Sequence, residues 1–343
     1  MSRSLLAVAV GSVLSVACTS YAQSGSPPLQ PTISAPEIVN ESTEKTPPIV
    51  ERLDILTLDG SHLTALPPLI GERDESPEFT REFLRVEWRT GDPIDLYIIK
   101  PANVQKPPVA LFLYSFPSDT DRFRSDNYCK TVTKYGFAVV GFVSALTGQR
   151  YHDRPMKESF VSELQESLVT SVHDVQMILN YLASRGDMDM QHVGMFGQGS
   201  GGTIAILAAA ADTRLKAIDV LDPWGDWPDW FAGSSVLQGH DRAQFLTSQF
   251  QESVANLDPV QWLPRLNGRV LRLQNTEFDS ITPASAKLRV KNALPKGAEF
   301  MSYGSLDEYQ KHAASGGQIL SWLGSQLSPS GPLSAKSTGP TEH

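Results

Sequence analysis

Cysteine is scarce in this sequence, with only Cys18 and Cys129 in 343 residues. Cys18 lies in an N-terminal segment that we expect to be removed, so the mature chain could form no internal disulfide. A secreted protein without one must be stabilised by its core. Cys129 has no base beside it in the sequence, which predicts a small buried side chain rather than a nucleophile.

Clusters of positive charge are also missing. The formal net charge is -9 and the isoelectric point is near 5.3, and no run of Lys and Arg occurs. Nucleic acids and anionic membrane surfaces favour clustered basic residues, so neither is a predicted partner. His240 has no second His or Cys at metal-ligand spacing, and we expect neither a metal ion nor another cofactor.

Long hydrophobic runs are absent as well. The apolar stretch from Leu5 to Ala17 is too short to span a bilayer comfortably, so no transmembrane span is expected in the mature protein. It follows Arg3 and precedes the small-x-small site at 20–22, the pattern of a secretory signal cleaved after Ala22. Export to the periplasm or outside the cell is predicted. A lipoprotein acylated at Cys18 is the alternative.

Composition divides the remaining chain into three parts. Residues 23–50 are rich in Pro, Ser, Thr and Glu and predict a disordered linker. Residues 51–327 form one predicted α/β domain, since a chain with 41% hydrophobic residues can bury a large core. Residues 328–343, rich in Pro, Ser and Gly, predict a disordered tail.

The most informative stretch is His192–Ala211. A short apolar run predicts a buried strand, the glycines at 197, 199, 201 and 202 predict a sharp turn, and the alanine-rich remainder predicts a packed helix. This strand-turn-helix unit resembles the nucleophile elbow of the α/β-hydrolase superfamily, a Gly-x-Ser-x-Gly turn. The resemblance implies a mostly parallel central sheet with an antiparallel N-terminal hairpin and helices on both faces.

Other segments agree with that fold. Alternating runs at 83–88 and 94–99 predict an antiparallel hairpin around the turn at 90–93. Apolar residues from Leu164 to Leu182 fall at steps of three and four, which predicts a long helix capped by Gly186. The passage 184–194 resembles dienelactone-hydrolase-like and acetyl-xylan-esterase-like enzymes.

The motif can be aligned in two registers. With Gly197 and Gly201 at the two glycine positions, Gly199 stands where the nucleophilic serine belongs. Shifting by one residue makes Ser200 the nucleophile but places Gln198 where the turn requires a small residue. The first register is sterically better, and it removes the nucleophile.

The resemblance implies two further triad positions. The loop 275–283 is similar to the family's acid loop, and Asp279 falls on the acid position, although it could instead be an ordinary loop carboxylate. No histidine stands where the family's base belongs. His312 comes later, and the base would have to be His312, although Ser305 and Glu308 predict a capping box that places His312 on a solvated helix face.

The resemblance also implies the surroundings of the site. Backbone amides near Phe116 and Gly201 would form the oxyanion hole, and Tyr114-Ser115 stands where the family has a His-Gly pair. A Trp-rich lid or insertion at about 222–256 contributes candidate pocket residues, which are Tyr114, Trp224, Trp227 and Trp230. Alternatively, these tryptophans pack onto the sheet.

Two hypotheses follow. The first is an exported carboxylic ester hydrolase that acts on a small-molecule ester or sugar ester through Ser200, His312 and Asp279. The second is a catalytically inactive hydrolase-fold protein that serves as a small-molecule binding or structural module. Both depend on which residue occupies the apex of the elbow.

Overall fold

The computed structural model describes residues 52–115, 120–146, 150, 160–314 and 318–328. The predicted signal peptide, the linker and nearly all of the tail lie outside these ranges and stay predictions. The described ranges include no helix with the length and apolarity needed to cross a membrane.

Within these ranges, nine strands form one sheet in the order β1-β2-β3-β5-β4-β6-β7-β8-β9. The pairs from β1 to β5 along this order are antiparallel, and all pairs from β5 to β9 are parallel. The strands are β1 (Leu69–Glu75), β2 (Phe79–Glu87), β3 (Pro93–Pro101), β4 (Pro108–Leu113), β5 (Ala138–Phe142), β6 (Asp189–Gln198), β7 (Leu215–Leu221), β8 (Val270–Thr276) and β9 (Glu299–Tyr303).

Helices connect the parallel strands and follow the last of them, β9. They are α1 (Asp121–Arg124), α2 (Asp126–Thr133), α3 (Leu164–Arg185), α4 (Ser200–Ala211), α5 (Trp227–Gly233), α6 (Gly239–Phe245), α7 (Ser248–Ala255), α8 (Pro259–Trp262), α9 (Ala284–Asn292), α10 (Leu306–Ala314) and α11 (Ile319–Leu327). The predicted Trp-rich segment therefore holds α5, α6 and α7, between β7 and β8.

The N-terminal hairpin is confirmed. Strands β2 and β3 pair antiparallel from Phe79 opposite Pro101 to Glu87 opposite Pro93. The long helix is confirmed too, because α3 ends at Arg185 and Gly186 adopts the left-handed conformation with φ 70°. Glycine accepts this conformation without a Cβ penalty, so it ends the helix.

Hydrophobic cores cover both faces of the sheet. Side chains alternate along a strand, so Val109, Leu111 and Leu113 of β4 contribute to one core while Ala110 and Phe112 contribute to the other. The first core also receives residues of α3 and α4, and the second receives residues of α2 and α11. The expected sheet with helices on both faces is confirmed, and the C-terminal ends of its parallel strands meet at one edge.

Candidate functional site

A single residue makes the bend between β6 and α4. β6 ends at Gln198 and α4 begins at Ser200, so Gly199 stands between them with φ 53° and ψ -121°. A side-chain-bearing residue is strained in this conformation and glycine is not. The Gly199 amide donates a 2.9 Å hydrogen bond to the carbonyl of Leu221, which ties the bend to β7. The predicted strand-bend-helix is present, and Gly199 is at its apex.

The flanking glycines settle the register. A Cβ on Gly197 would lie 2.6 Å from the carbonyl carbon of Gly201, and one on Gly201 would lie 2.8 Å from that of Leu113. Both contacts are with backbone, so no side-chain rotation could relieve them. Gly197 and Gly201 therefore take the two glycine positions of the motif, which is the unshifted register.

The register has a direct consequence for Ser200. It is the first residue of α4, its exposed fraction is 0%, and it does not line the cleft above the bend. A nucleophile must reach its substrate. Because Ser200 comes one residue after the apex and is buried there, the structure does not support its predicted role as nucleophile.

A cleft of about 530 Å³ opens at the C-terminal ends of β4, β6, β7 and β8. Ligands of open α/β sheets bind at this edge. Its lining combines hydroxyls, two carboxylates and apolar side chains: Ser115, Gln198, Gly199, Leu221, Asp222, Trp224, Thr276, Phe278, Asp279, Ser280, Ile281, Leu306 and Tyr309.

Ser115 occupies the space that the apex side chain would need. It follows β4, whose Leu113 pairs with Gly197 of β6. A Cβ built on Gly199 would collide with the Ser115 hydroxyl and would lie 2.8 Å from the Ser115 Cβ. The hydroxyl at this end of the cleft therefore comes from the segment that follows β4 and not from the elbow.

A lysine lies beside Asp279, the residue at the predicted acid position. The Asp279 carboxylate accepts hydrogen bonds from the amides of Ile281 (3.2 Å) and Thr282 (3.1 Å). Lys287 of α9 places its Nζ 3.6 Å from the same carboxylate and donates to the Asp279 carbonyl at 2.9 Å. Asp279 lines the cleft, and its carboxylate holds the loop 279–282 by accepting these two amides. The cationic group beside it is the Lys287 ammonium.

Asp222 is a second carboxylate on the same lysine. Its Oδ1 accepts from the Thr276 amide at 2.8 Å and its Oδ2 from the Thr276 hydroxyl at 2.5 Å, and Lys287 Nζ lies 3.5 Å away. Burial raises the pKa of Asp222, an effect that these hydrogen bonds and Lys287 oppose. Two carboxylates share one ammonium, so this part of the cleft favours neutral ligands over anions.

His312 lies in a different cavity. It is in α10, and its ring packs on Tyr303 at a centroid distance of 5.3 Å. The cavity that His312 lines lies between β9 and α10 and is bordered by Phe300, Met301, Ser302, Tyr303, Glu308, Lys311 and His312. The residues of α10 that line the main cleft are Leu306 and Tyr309.

The start of α10 explains this placement. The Ser305 hydroxyl accepts the Glu308 amide at 3.1 Å, and the Glu308 carboxylate accepts the Gly304 amide at 2.7 Å. The helix therefore begins at the predicted cap, and Tyr309 and His312, which are three residues apart in it, both pack on Tyr303. Ser200, Asp279 and His312 do not together line either of these two cavities, and the triad stays a prediction.

Comparison with known proteins agrees with this geometry in fold. Residues 94–221, which run from β3 through the elbow to the end of β7, match the Dienelactone hydrolase family. Over this stretch the chain is similar to the dienelactone-hydrolase-like branch of the α/β-hydrolase superfamily. It is 27% identical over 181 residues to the putative hydrolase YtaP of Bacillus subtilis (strain 168), a match that covers 43% of this chain and 58% of the relative. The chain thus spans little more than half the length of this curated relative.

Two solved structures show the same fold. An acetyl xylan esterase from Paenibacillus sp. R4 superposes with a TM-score of 0.59 at 16% identity, covering 77% of this chain and 90% of that one. Acetyl xylan esterase 1 from Thermoanaerobacterium sp. JW/SL YS485 has a TM-score of 0.54 at 15% identity, covering 79% and 91%. At these identities the likeness concerns the fold alone.

The observed register changes one of the two predicted oxyanion-hole positions. In the observed register the amide that follows the apex belongs to Ser200, whereas Gly201 is packed against the backbone of Leu113. Gly201 is the expected donor only if Ser200 is the nucleophile, so the shift of one residue moves the donor as well. Phe116, the other predicted donor, lies outside the described residues.

The predicted aromatic pocket is reduced to one residue. Trp224 lines the cleft, whereas Trp227 and Trp230 are buried and pack edge to face at 5.8 Å. Tyr114 packs on Phe196 at 5.8 Å and does not line the cleft. The α5 tryptophans therefore follow the alternative interpretation, packing inside the domain, because burial of large aromatic surface stabilises this helical segment.

Sequence patterns did not single out Ser115 and Tyr309, which line the cleft, or Lys287, which lies beside two of its carboxylates, as site candidates. The position of Ser115 was visible, since it replaces the glycine of the family's His-Gly pair. Lys287 and Tyr309 carry no local signal, because only the arrangement of α9 and α10 brings them to the cleft. Burial raises the pKa of Tyr309, which keeps its hydroxyl protonated.

Proposed function

We propose that this protein is an exported, catalytically inactive α/β-hydrolase that binds a neutral ester, such as the ester of a sugar, in the cleft above Gly199. The observation that carries the proposal is the apex itself. Gly199 has no side chain, and the Ser115 hydroxyl fills the space that a nucleophile would need.

The remaining groups agree with binding without hydrolysis. In serine hydrolases an imidazole takes the proton of the nucleophile, and loss of either group lowers turnover by about a million-fold. Among the described residues that line this cleft there is no histidine. The Asp279 carboxylate lies 3.6 Å from Lys287 Nζ, so its cationic neighbour is a lysine and not the imidazole that a triad requires.

The ligand class follows from the lining and from the fold neighbours. Asp222 and Asp279 face one lysine, which disfavours anions, while Phe278 and Leu306 offer exposed apolar surface. Such a mixture of carboxylates, hydroxyls and an aromatic ring suits a sugar or another polyhydroxylated molecule. Two fold neighbours are named acetyl xylan esterases, which supports an acylated sugar as ligand.

A fluorophosphonate probe tests the proposal. The full chain is incubated with the probe beside an active serine hydrolase as positive control, and adducts are located by mass spectrometry. In parallel, calorimetry measures the binding of acetylated xylobiose and of phenyl acetate. We expect no adduct on this protein and saturable binding of at least one ester.

The other outcomes are decisive. An adduct on Ser200 that disappears in Ser200→Ala would restore the predicted triad and overturn inactivity. A chain that neither reacts nor binds an ester would overturn the binding function.

Ester hydrolysis by a displaced nucleophile is a second candidate, favoured by one observation: the Ser115 hydroxyl stands where a nucleophile would project. A fluorophosphonate adduct on Ser115, lost in Ser115→Ala, would support it.

A further inference from the structure

Two neighbouring tyrosines differ in what their hydroxyls do. The Tyr309 ring contacts Phe278 and Tyr303 edge to face, with centroids 6.5 Å and 5.2 Å apart. The Tyr303 hydroxyl donates a 2.9 Å hydrogen bond to Gln274. Among the residues that the structure describes, none forms a hydrogen bond with the Tyr309 hydroxyl. Of the two tyrosines, Tyr309 is therefore the one whose hydroxyl a ligand can use.

Tyr309 also lies on the right side of α10 to meet a ligand. Tyr309 and Phe278 line the main cleft, whereas Tyr303 lines the cavity between β9 and α10. Burial raises the pKa of Tyr309, and the charges of Asp219 and Asp222 raise it further. Because Asp222 lines the main cleft, the Tyr309 hydroxyl is within electrostatic reach of a cleft carboxylate. The phenol stays protonated, so it can both donate and accept a hydrogen bond.

The carboxylates of the cleft ask for donors on the ligand. Asp222 Oδ1 accepts from the Thr276 amide and Oδ2 from the Thr276 hydroxyl, and a carboxylate oxygen can accept a second hydrogen bond. Asp279 is the other carboxylate of the lining. A ligand hydroxyl can donate to a carboxylate and can also exchange a hydrogen bond with the Tyr309 phenol. A ligand without hydroxyls would leave these groups without the water they lose on binding.

Phe278 supplies the apolar part of the same place. It lies in the segment between β8 and α9, and its ring is partly exposed at the mouth of the cleft. A sugar ring has an apolar face of C–H groups and an edge of hydroxyls. The C–H face suits the exposed aromatic ring, and the hydroxyl edge suits the phenol beside it.

We propose that Phe278 and Tyr309 form a sugar-binding subsite, in which the sugar ring packs on Phe278 and one of its hydroxyls forms a hydrogen bond with the Tyr309 hydroxyl. This inference rests on the proposed function and deepens it, because it names the residues that select a sugar ester over an ester without hydroxyls. No bond is formed or broken.

The experiment compares two ligands and three proteins. Xylobiose that carries one acetyl group has free hydroxyls, and phenyl acetate has none. Calorimetry on the full chain measures both ligands with wild type, Tyr309→Phe and Tyr303→Phe. Tyr303→Phe is the matched control, because it removes a hydroxyl from the adjacent ring, where it bonds to Gln274 outside the main cleft.

We expect Tyr309→Phe to weaken binding of acetylated xylobiose about fivefold, the effect of one neutral hydrogen bond, and to leave phenyl acetate within about twofold of wild type. Tyr303→Phe should bind both ligands as wild type does. If wild type binds phenyl acetate but not acetylated xylobiose, or if Tyr309→Phe binds acetylated xylobiose as wild type does, the subsite is overturned and the binding function stands. Equal weakening of both ligands in Tyr309→Phe would also overturn the subsite. Failure of wild type to bind either ester would overturn the binding function itself.

A second readout follows Tyr309 in the wild-type protein. With tyrosine rings labelled with ¹³C, the nuclear magnetic resonance signal that is missing in Tyr309→Phe is assigned to Tyr309, and the one missing in Tyr303→Phe to Tyr303. Acetylated xylobiose should shift the Tyr309 signal more than phenyl acetate does, and the Tyr303 signal should move less with either ligand. A Tyr309 signal that does not move with bound acetylated xylobiose would overturn the proposal.

Discussion

The two sides of the cleft differ in what each keeps of the hydrolase pattern. On the elbow side, β6, Gly199 and α4 have the backbone of a nucleophile elbow without its serine. On the acid side, Asp279 has its carboxylate, but its neighbour is Lys287, and α10 presents Leu306 and Tyr309 to the cleft. One side preserves conformation and the other preserves a single chemical group.

The difference shows what packing requires. The elbow backbone is held by Gly197 and Gly201, which contact backbone atoms so closely that no other residue fits. The groups that would perform chemistry are not needed to hold the sheet, so their replacement leaves the fold intact. Four substitutions can test this division, from the largest expected effect to the smallest.

Gly201→Ala tests whether packing fixes the elbow. The added Cβ would collide with the Leu113 carbonyl. Because Leu113 belongs to a central strand, its backbone cannot move without disturbing the sheet. We expect a loss of about 3 kcal/mol or more in the free energy of unfolding, measured by urea denaturation.

Gly239→Ala in α6 is the matched control, since nothing lies within 4 Å of its added Cβ. It should change stability by less than about 0.5 kcal/mol. Equal effects of the two substitutions would contradict the claim that close packing holds the elbow.

Gly199→Ser tests whether Ser115 fills the nucleophile's space. The new side chain adopts a strained backbone conformation and meets Ser115, so we expect a loss of about 3 kcal/mol. Adding Ser115→Gly should recover about 1 to 2 kcal/mol of it in a double-mutant cycle. Pairing Gly199→Ser with Ser280→Gly should give additive effects, and additivity in the first cycle as well would refute the steric explanation.

Lys287→Met tests the acid side. It leaves Asp222 and Asp279 without the ammonium group that neighbours both, and we expect a loss of about 2 kcal/mol at pH 7. The pKa of Asp222 is already raised by burial, and removing Lys287 raises it further.

The sign of the pH dependence follows. A carboxyl group whose pKa is raised on folding stabilises the fold fully at pH values below its unfolded pKa, and this stability is lost as pH rises through its folded pKa. The penalty of Lys287→Met should therefore be larger at pH 7 than at pH 4 in thermal unfolding. The exposed Lys296→Met should show no such trend, and a penalty independent of pH would rule out the electrostatic explanation.

These sites also show what could be predicted from sequence. The strand-bend-helix at Gly199 and the cap at Gly186 depend on local glycine patterns, and both are confirmed. The register depends on contacts between Gly201 and Leu113, which lie 88 positions apart in the chain, so the sequence favoured one alignment only on general steric grounds.

The side-chain assignments depended on neighbours that no local pattern reveals. Ser115 reaches the apex because β4 lies beside β6, although β5 and α3 separate them in the chain. Lys287 lies beside Asp279 because α9 begins directly after the loop 275–283 and Lys287 is near the start of this helix. Ser200 and His312 are candidates by residue type, but Ser200 is buried at the start of α4 and His312 lines the cavity between β9 and α10.

His312→Ala has the smallest expected effect and tests whether His312 takes part in ligand binding in the cleft. His312 packs on Tyr303 in the cavity between β9 and α10, so its loss should cost about 1 kcal/mol of stability and leave ester affinity within about twofold of wild type.

Phe278→Ala, at the mouth of the cleft, should instead weaken ester binding several-fold with little loss of stability, because Phe278 is 46% exposed. If His312→Ala abolished binding while Phe278→Ala did not, α10 would have to turn His312 toward Asp279 in solution. The acid side would then hold the groups of a working triad, and the contrast between the two sides of the cleft would reduce to the missing serine alone.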